Sequence, residues 1–320
     1  MKLSLVSDSL SDLSLHGLLE TATQCGLQGI EFTTGNWSTA PHFDLEKLLE
    51  SAAARDALVA SLSDRGLEIS ALNCNGNQLH PISGDAHDRV VKDTIRLSGL
   101  LGLDTVVLMS GLPAAHPDDK VPNWITSSWP PENQSMLAWQ WTEKLLPYWR
   151  GLVRFAEDHG VKCLAVEMHG AQLVYSPATL MQLRQEIGDT VCANLDPSHL
   201  MWMGADAIAA ADYLGSAIAH VHGKDTFINK PQAAIRSLME NGPLDSAAGR
   251  SWTHATIGVG HDQKWWTDFF YRLALNGYDG WISIEHEDAT MSRKEGLRRA
   301  VAMLNETALF EAPDYVVQSI

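Results

Sequence analysis

Short, uninterrupted apolar runs alternate along this chain with amphipathic stretches of helical length, the pattern of repeated strand-helix units around a parallel sheet. Eight runs read as strands buried on both faces: Lys2–Val6, Gly29–Thr33, Glu68–Asn73, Thr105–Ser110, Lys162–Met168, Val191–Leu195, Ile218–His222 and Gly280–Glu285. Gly26, Gly66, Gly102, Gly160 and Gly277 each stand a few residues before such a run, where a helix would stop. Eight units in succession predict an α/β fold, a closed (β/α)8 TIM barrel, with residues 1–310 as one domain and 311–320 as a tail. Two connections are long, Leu112–Ser135 after the fourth strand and Thr226–Gly260 after the seventh, and long loops at that face of a barrel often form lids.

Composition narrows the classes. At 320 residues, 45% of them hydrophobic and 19% charged, the chain can bury a large core, and no apolar stretch approaches the roughly 20 residues of a membrane helix. A formal net charge of −16 disfavours nucleic acid as a partner, because such affinity comes from Lys and Arg neutralising phosphates. Cys25, Cys74, Cys163 and Cys192 lie far apart with no C-x-x-C spacing, so they read as reduced core residues rather than a disulfide framework or zinc knuckle. Met1 to Val6 lacks the basic start of a signal peptide, and a cytoplasmic location is expected.

In a barrel of this kind functional groups sit where strands end. The fifth run ends Glu167-Met168-His169, the sixth Asp196-Pro197-Ser198-His199, the seventh His220-Val221-His222-Gly223-Lys224-Asp225 and the eighth Glu285-His286-Glu287. Four successive strands thus end in an acid, an acid, a histidine and an acid. Converging carboxylates repel and cost several kcal/mol each when buried, and a divalent cation resolves the conflict. Three oxygen donors with one imidazole suit Mn²⁺ first, with Mg²⁺ or Co²⁺ as alternatives. Alternation along a strand makes Glu167 and His169 share a face, and likewise His220 and His222, so spacing alone does not choose between the two histidines; it also puts Glu287 beside Glu285 and turns His286 away.

These elements, with Gly258-Val259-Gly260 and Gly277-Tyr278-Asp279-Gly280, resemble the xylose-isomerase-like sugar isomerase/epimerase superfamily over nearly the whole chain. The resemblance implies that Glu167, Asp196, His222 and Glu285 bind the metal and that His199 contacts substrate. In ketose 3-epimerases of that superfamily the two glutamates also shuttle the proton. Those enzymes carry an arginine six residues after the metal histidine, where this chain has Ile228. His-x-Lys-Asp at His222 to Asp225 looks more like the inosose-dehydratase branch, in which Lys224 would polarise a substrate oxygen unless it pairs with Asp225 or a neighbouring loop. The chain is also similar to large subunits of C-glycoside deglycosidases, and Glu31, Asn36-Trp37, the Asn73 to Asn77 loop with Asn75, and His80 would then line the pocket.

The expected chemistry is removal of a proton next to a carbonyl of a neutral sugar or keto-sugar through a metal-stabilised enediolate, with Glu167 or Glu285 as base and His169 or His199 returning a proton. Elimination from a 3-oxo-C-glycoside is the alternative outcome, and a non-catalytic sugar-binding barrel the second. Trp37, Trp124, Trp129 and Trp202 offer flat faces to a sugar ring or aglycone. No glycine-rich phosphate loop opens a helix near the strand ends, which disfavours a phosphosugar. A DNA-repair endonuclease on the same barrel would need a larger histidine cluster and a basic groove. Self-assembly into a homo-oligomer is expected, and a small β-rich partner subunit if the deglycosidase resemblance holds.

Overall fold

The computed structural model describes residues 1–243 and 245–315, so residues 316–320 of the expected tail, and Leu244 in the second long connection, lie outside the described residues. Among the described residues, eight parallel strands close into a barrel: β1 (Lys2–Val6), β2 (Gly29–Thr33), β3 (Glu68–Asn73), β4 (Thr105–Leu108), β5 (Cys163–Glu167), β6 (Val191–Leu195), β7 (Ile218–Gly223) and β10 (Trp281–Ile284). They fall on the eight apolar runs in chain order, with β10 pairing β7 on one side and β1 on the other. Helices end at Gln24, Ser63, Leu101, Asp158 and Leu275, and the glycine just beyond each adopts a left-handed φ between 69° and 81°. No helix among the described residues is long and apolar enough to cross a membrane.

Alternation along the strands sorts side chains into two environments. Leu5, Ile30, Phe32, Leu72, Val106, Leu108, Leu164, Val166, Leu195, Val221, Ile282 and Ile284 point outward and form one continuous core with the helices. The interior is different. Ala71, Val107 and Ala165 make a small apolar patch there. Buried Ser4, Glu31, Asn73, Asn194, His220 and Ser283 supply polar groups where such barrels ordinarily stack branched aliphatics.

The connection after β7 is not the irregular loop expected. β8 (Asp225–Ile228) and β9 (Trp252–Ala255) pair antiparallel, Asp225 opposite Ala255 and Ile228 opposite Trp252, with a helix at Lys230–Arg236 between them. Threonine and aromatic residues suit both segments to strands, but the long excursion between them hides the pairing from any local pattern. After β4 the chain is irregular until a helix starts at Glu132, just short of the expected loop end at Ser135.

Candidate metal centre

At the carboxyl ends of β5, β6, β7 and β10, one ligand atom from each of Glu167, Asp196, His222 and Glu285 falls within 4.8 Å of the others. Each is aimed by a different local device. Asp196 caps the helix Pro197–Met203, its Oδ1 accepting the Ser198 N–H at 2.8 Å, which leaves Oδ2 facing the cluster. Glu167 Oε2 accepts a hydrogen bond from Asn75 Nδ2, leaving Oε1 3.3 Å from His222 Nδ1. Glu285 follows directly on β10, its N–H held by the Gly223 carbonyl, and its Oε2 lies 3.4 Å from the same Nδ1.

The electrostatics ask for positive charge. Burial, with Glu167 and Glu285 adding to it and Lys224 opposing it, pushes the Asp196 carboxyl up to about 7. Burial would lower the His222 imidazole, but Glu31, Glu167 and Glu285 outweigh it and draw that group well above its usual range. Nδ1 of His222 and Oδ2 of Asp196 are nevertheless buried without a hydrogen-bond partner. Asp196 Oδ2, charge-paired with Lys224, and His222 Nδ1, once its proton gives way to an ion, join two further carboxylates in a donor set that a hard divalent cation fits.

Lys224 does not pair with Asp225. Its buried Nζ donates to Glu285 at 2.6 Å and Glu287 at 3.0 Å and lies 3.2 Å from Asp196 Oδ2. Asp225 is taken up elsewhere, accepting four backbone N–H groups, from Thr226, Gly258, Gly260 and His261, and the His261 ring. It ties the start of the hairpin to the Gly258-Val259-Gly260 turn.

A cavity of about 410 Å³ opens over the cluster and is lined by Trp37, Asn75, Glu167, His169, His199, Lys224 and Glu285 among others. His199 Nε2 stands 3.4 Å from both Glu167 Oε1 and Asp196 Oδ2, and burial holds its imidazole well below its usual range, hence neutral. The His169 ring lies 4.1 Å from that of His199, its Nδ1 bonded to the Gly170 carbonyl. His286 borders the cavity while packing its ring on Gly296, where a Cβ would come within 2.1 Å of it.

Several expected pocket residues lie elsewhere. Glu31 is fully buried beneath the cluster with both oxygens bonded, so it forms no wall of the cavity. His80 turns its Nδ1 to the N–H groups of Ile82 and Ser83, outside it. Trp124 packs edge-on against Trp202, which stacks on Trp252 at 4.6 Å, and Trp129 faces solvent, so of the four tryptophans Trp37 alone reaches the cavity. Sequence reasoning also missed His254, delivered by β9 to 5.3 Å from the His199 ring, where burial lowers it to about 3. Only knowledge of the hairpin could have placed it.

A family model described as xylose isomerase-like TIM barrel matches residues 19–307. The chain is 47% identical over 310 residues to a protein of Bacillus subtilis (strain 168) described as uncharacterized protein YfiH, covering 96% of this chain and 99% of that one. Among solved structures it is similar to 3-keto-D-glucoside 4-epimerase YcjR from E. coli, with TM-score 0.63 and 12% identity over 95% of this chain and 99% of that one. It is similar too to the IOLI protein with a binding zinc atom, with TM-score 0.62 and 18% identity over 96% and 98%. At such identities the two structures speak for the fold alone.

Proposed function

Because the chain belongs to the xylose isomerase-like TIM barrel family, we propose that it is a divalent-metal-dependent enzyme of the sugar isomerase/epimerase type, removing a proton next to a carbonyl of a neutral sugar or keto-sugar. The observation that carries this reading is the convergence of Glu167, Asp196, His222 and Glu285, with His222 Nδ1 and Asp196 Oδ2 buried and making no hydrogen bond. These four residues would hold the ion, with Mn²⁺ preferred and Mg²⁺ or Co²⁺ acceptable. When bound, it would supply Lewis-acid polarisation of a substrate oxygen. A zinc-bound neighbour of the same fold supports a divalent ion without selecting one.

The remaining work falls to the chain. Glu167, drawn well below the usual carboxylate range by His199 and His222 against the effect of burial, is a deprotonated base at neutral pH. Glu285 is steered by the Lys224 ammonium and serves as the second base. His169 would relay a proton at a ring nitrogen, neutral His199 would hold a substrate oxygen through its ring N–H, and Asn75 and Lys224 would orient substrate oxygens. Trp37, half exposed on the cavity wall, would cover the apolar face of a sugar ring. The partner is thus a small sugar or glycoside; self-association is part of the same proposal.

One observation favours a second outcome at the same site. His169 and the Lys224 ammonium both line the cavity beside the cluster, N–H donors to a leaving oxygen beyond the two glutamates that epimerisation requires. Elimination from a 3-oxo-C-glycoside, with a small β-rich partner subunit, would use them.

The test is solvent exchange. The Mn²⁺-loaded protein in D₂O is given keto-sugars, aldo-sugars and a 3-oxo-glycoside, and NMR follows deuterium entering beside the carbonyl, with a chelated control. Metal-dependent uptake supports proton abstraction, and the product separates epimer, isomer and released aglycone. Binding of a sugar with no exchange from any of them would favour a non-catalytic barrel.

Metal binding alone is checked by melting. Mn²⁺ at a hundred times its dissociation constant stabilises the fold by about 2.7 kcal/mol, and a chelator reverses the gain. An unchanged melting curve at millimolar Mn²⁺ counts against the site.

A further inference from the structure

We infer that Glu31 is a positioning residue for the metal-facing imidazole: it accepts the Nε2–H of His222 and so presents Nδ1 to the cluster as a lone pair. The inference rests on the metal centre proposed above, and it concerns a residue lying beneath the cavity rather than in it.

Glu31 comes from β2, across the barrel from β7, and is completely buried. Its carboxylate accepts from Asn73 Nδ2 at 2.7 Å, from His220 Nε2 at 2.7 Å, and from His222 Nε2 at 3.0 and 3.2 Å. An ionised carboxylate can only accept, so each nitrogen facing it carries a hydrogen. Asn194 Nδ2 also approaches His222 Nε2, at 3.1 Å, but an amide can present either of its ends and a carboxylate cannot, so Glu31 decides the tautomer.

With the Nε2 hydrogen held by Glu31, Nδ1 is the nitrogen that gives up its proton and offers its lone pair when a cation takes that proton's place. That atom lies 3.3 Å from Glu167, 3.4 Å from Glu285 and 3.9 Å from Asp196 and has no hydrogen bond. A carboxylate behind a ligating imidazole fixes its rotation and raises its donor strength, and losing such a partner weakens metal binding by about 10- to 100-fold.

The same residues admit a different role. Glu31, His220 and His222 stand close enough to ligate an ion themselves. Asn73 argues against it, because its N–H already points at Glu31 and would have to be displaced.

Isothermal titration of wild type and Glu31→Gln with Mn²⁺ tests the inference. One equivalent is expected in both, with binding about 10- to 100-fold weaker in the variant and an unchanged far-UV spectrum. Equal affinities overturn it, and so does a fall from two equivalents to one, which would make Glu31 a ligand. Wild type that binds no metal brings down the metal centre and this inference together, whereas binding by wild type with no loss in the variant brings down this inference alone. Should the variant fail to fold, ¹⁵N-histidine NMR of the Zn²⁺-loaded wild type decides: His222, identified by the signal lost in His222→Asn, is expected to retain its proton on Nε2 with Nδ1 on the ion, and the reverse arrangement overturns the inference.

Discussion

Glutamine at position 167 lowers the rate of deuterium uptake into substrate by about 10²- to 10⁴-fold, and glutamine at 285 does the same, while both variants stay folded. The exchange keeps side-chain size and removes the charge that serves both the cation and the proton. Stability survives because three carboxylates converge there, and their mutual repulsion helps push Asp196 up to about 7. Removing one charge relieves part of that repulsion but forfeits the pairing with His199 and His222 that holds Glu167 below the usual carboxylate range, so the metal-free melting temperature of Glu167→Gln is expected to fall modestly below that of wild type. Asn75 can still donate to the amide oxygen, and Lys224 keeps Asp196 and Glu287 when Glu285 is neutralised. Exchange rates by NMR and titration with Mn²⁺ check the result, and near-normal rates in both loaded variants would sink the assignment of these residues.

Alanine at position 225 acts on the fold instead, with an expected loss of about 3–5 kcal/mol. Four backbone N–H groups, at 2.8 to 3.1 Å, and the His261 ring at 2.7 Å all depend on this one buried carboxylate. None can turn to solvent without opening the loop. A Cβ at Gly260 would sit 2.1 Å from the Thr226 carbonyl oxygen, so the turn cannot be rebuilt around another residue to bring its N–H closer. Urea unfolding followed by tryptophan fluorescence measures the loss, and limited proteolysis is expected to cut first near residues 258–261. A midpoint indistinguishable from wild type would show that the loop is held by its neighbours.

The barrel was legible because its strands are buried on both faces and so form unbroken apolar runs, five of the eight preceded by a glycine helix stop such as Gly102 or Gly160. The four cluster residues were legible for a related reason: strand ends are the places where a buried acid demands an explanation. What escaped was everything set by apposition across the sheet. Glu31 looked like a pocket residue because nothing near it in sequence reveals that His220 and His222, on the far side of the closed barrel, occupy its oxygens. Lys224 next to Asp225 suggested a local pair, but Lys224, between β7 and β8, turns to Glu285 and Glu287 while Asp225 faces the 258–261 turn. Trp124 and Trp202 offered the same aromatic chemistry as Trp37, and only packing against each other and Trp252 separates them from it.

The β8–β9 hairpin is inserted at a place where the sheet does not register its presence. β7 and β10 are hydrogen-bonded neighbours, Val221 beside Ile282 and His222 beside Ser283, whatever the chain does on its way from one to the other. Closure of the cylinder therefore imposes no length on residues 229–251, between the two paired strands. That stretch behaves as an exchangeable cassette mounted between two cluster residues: it can be lengthened, trimmed or resurfaced, altering which molecules reach His199 and His254, while the geometry that holds His222 against Glu285 is inherited unchanged.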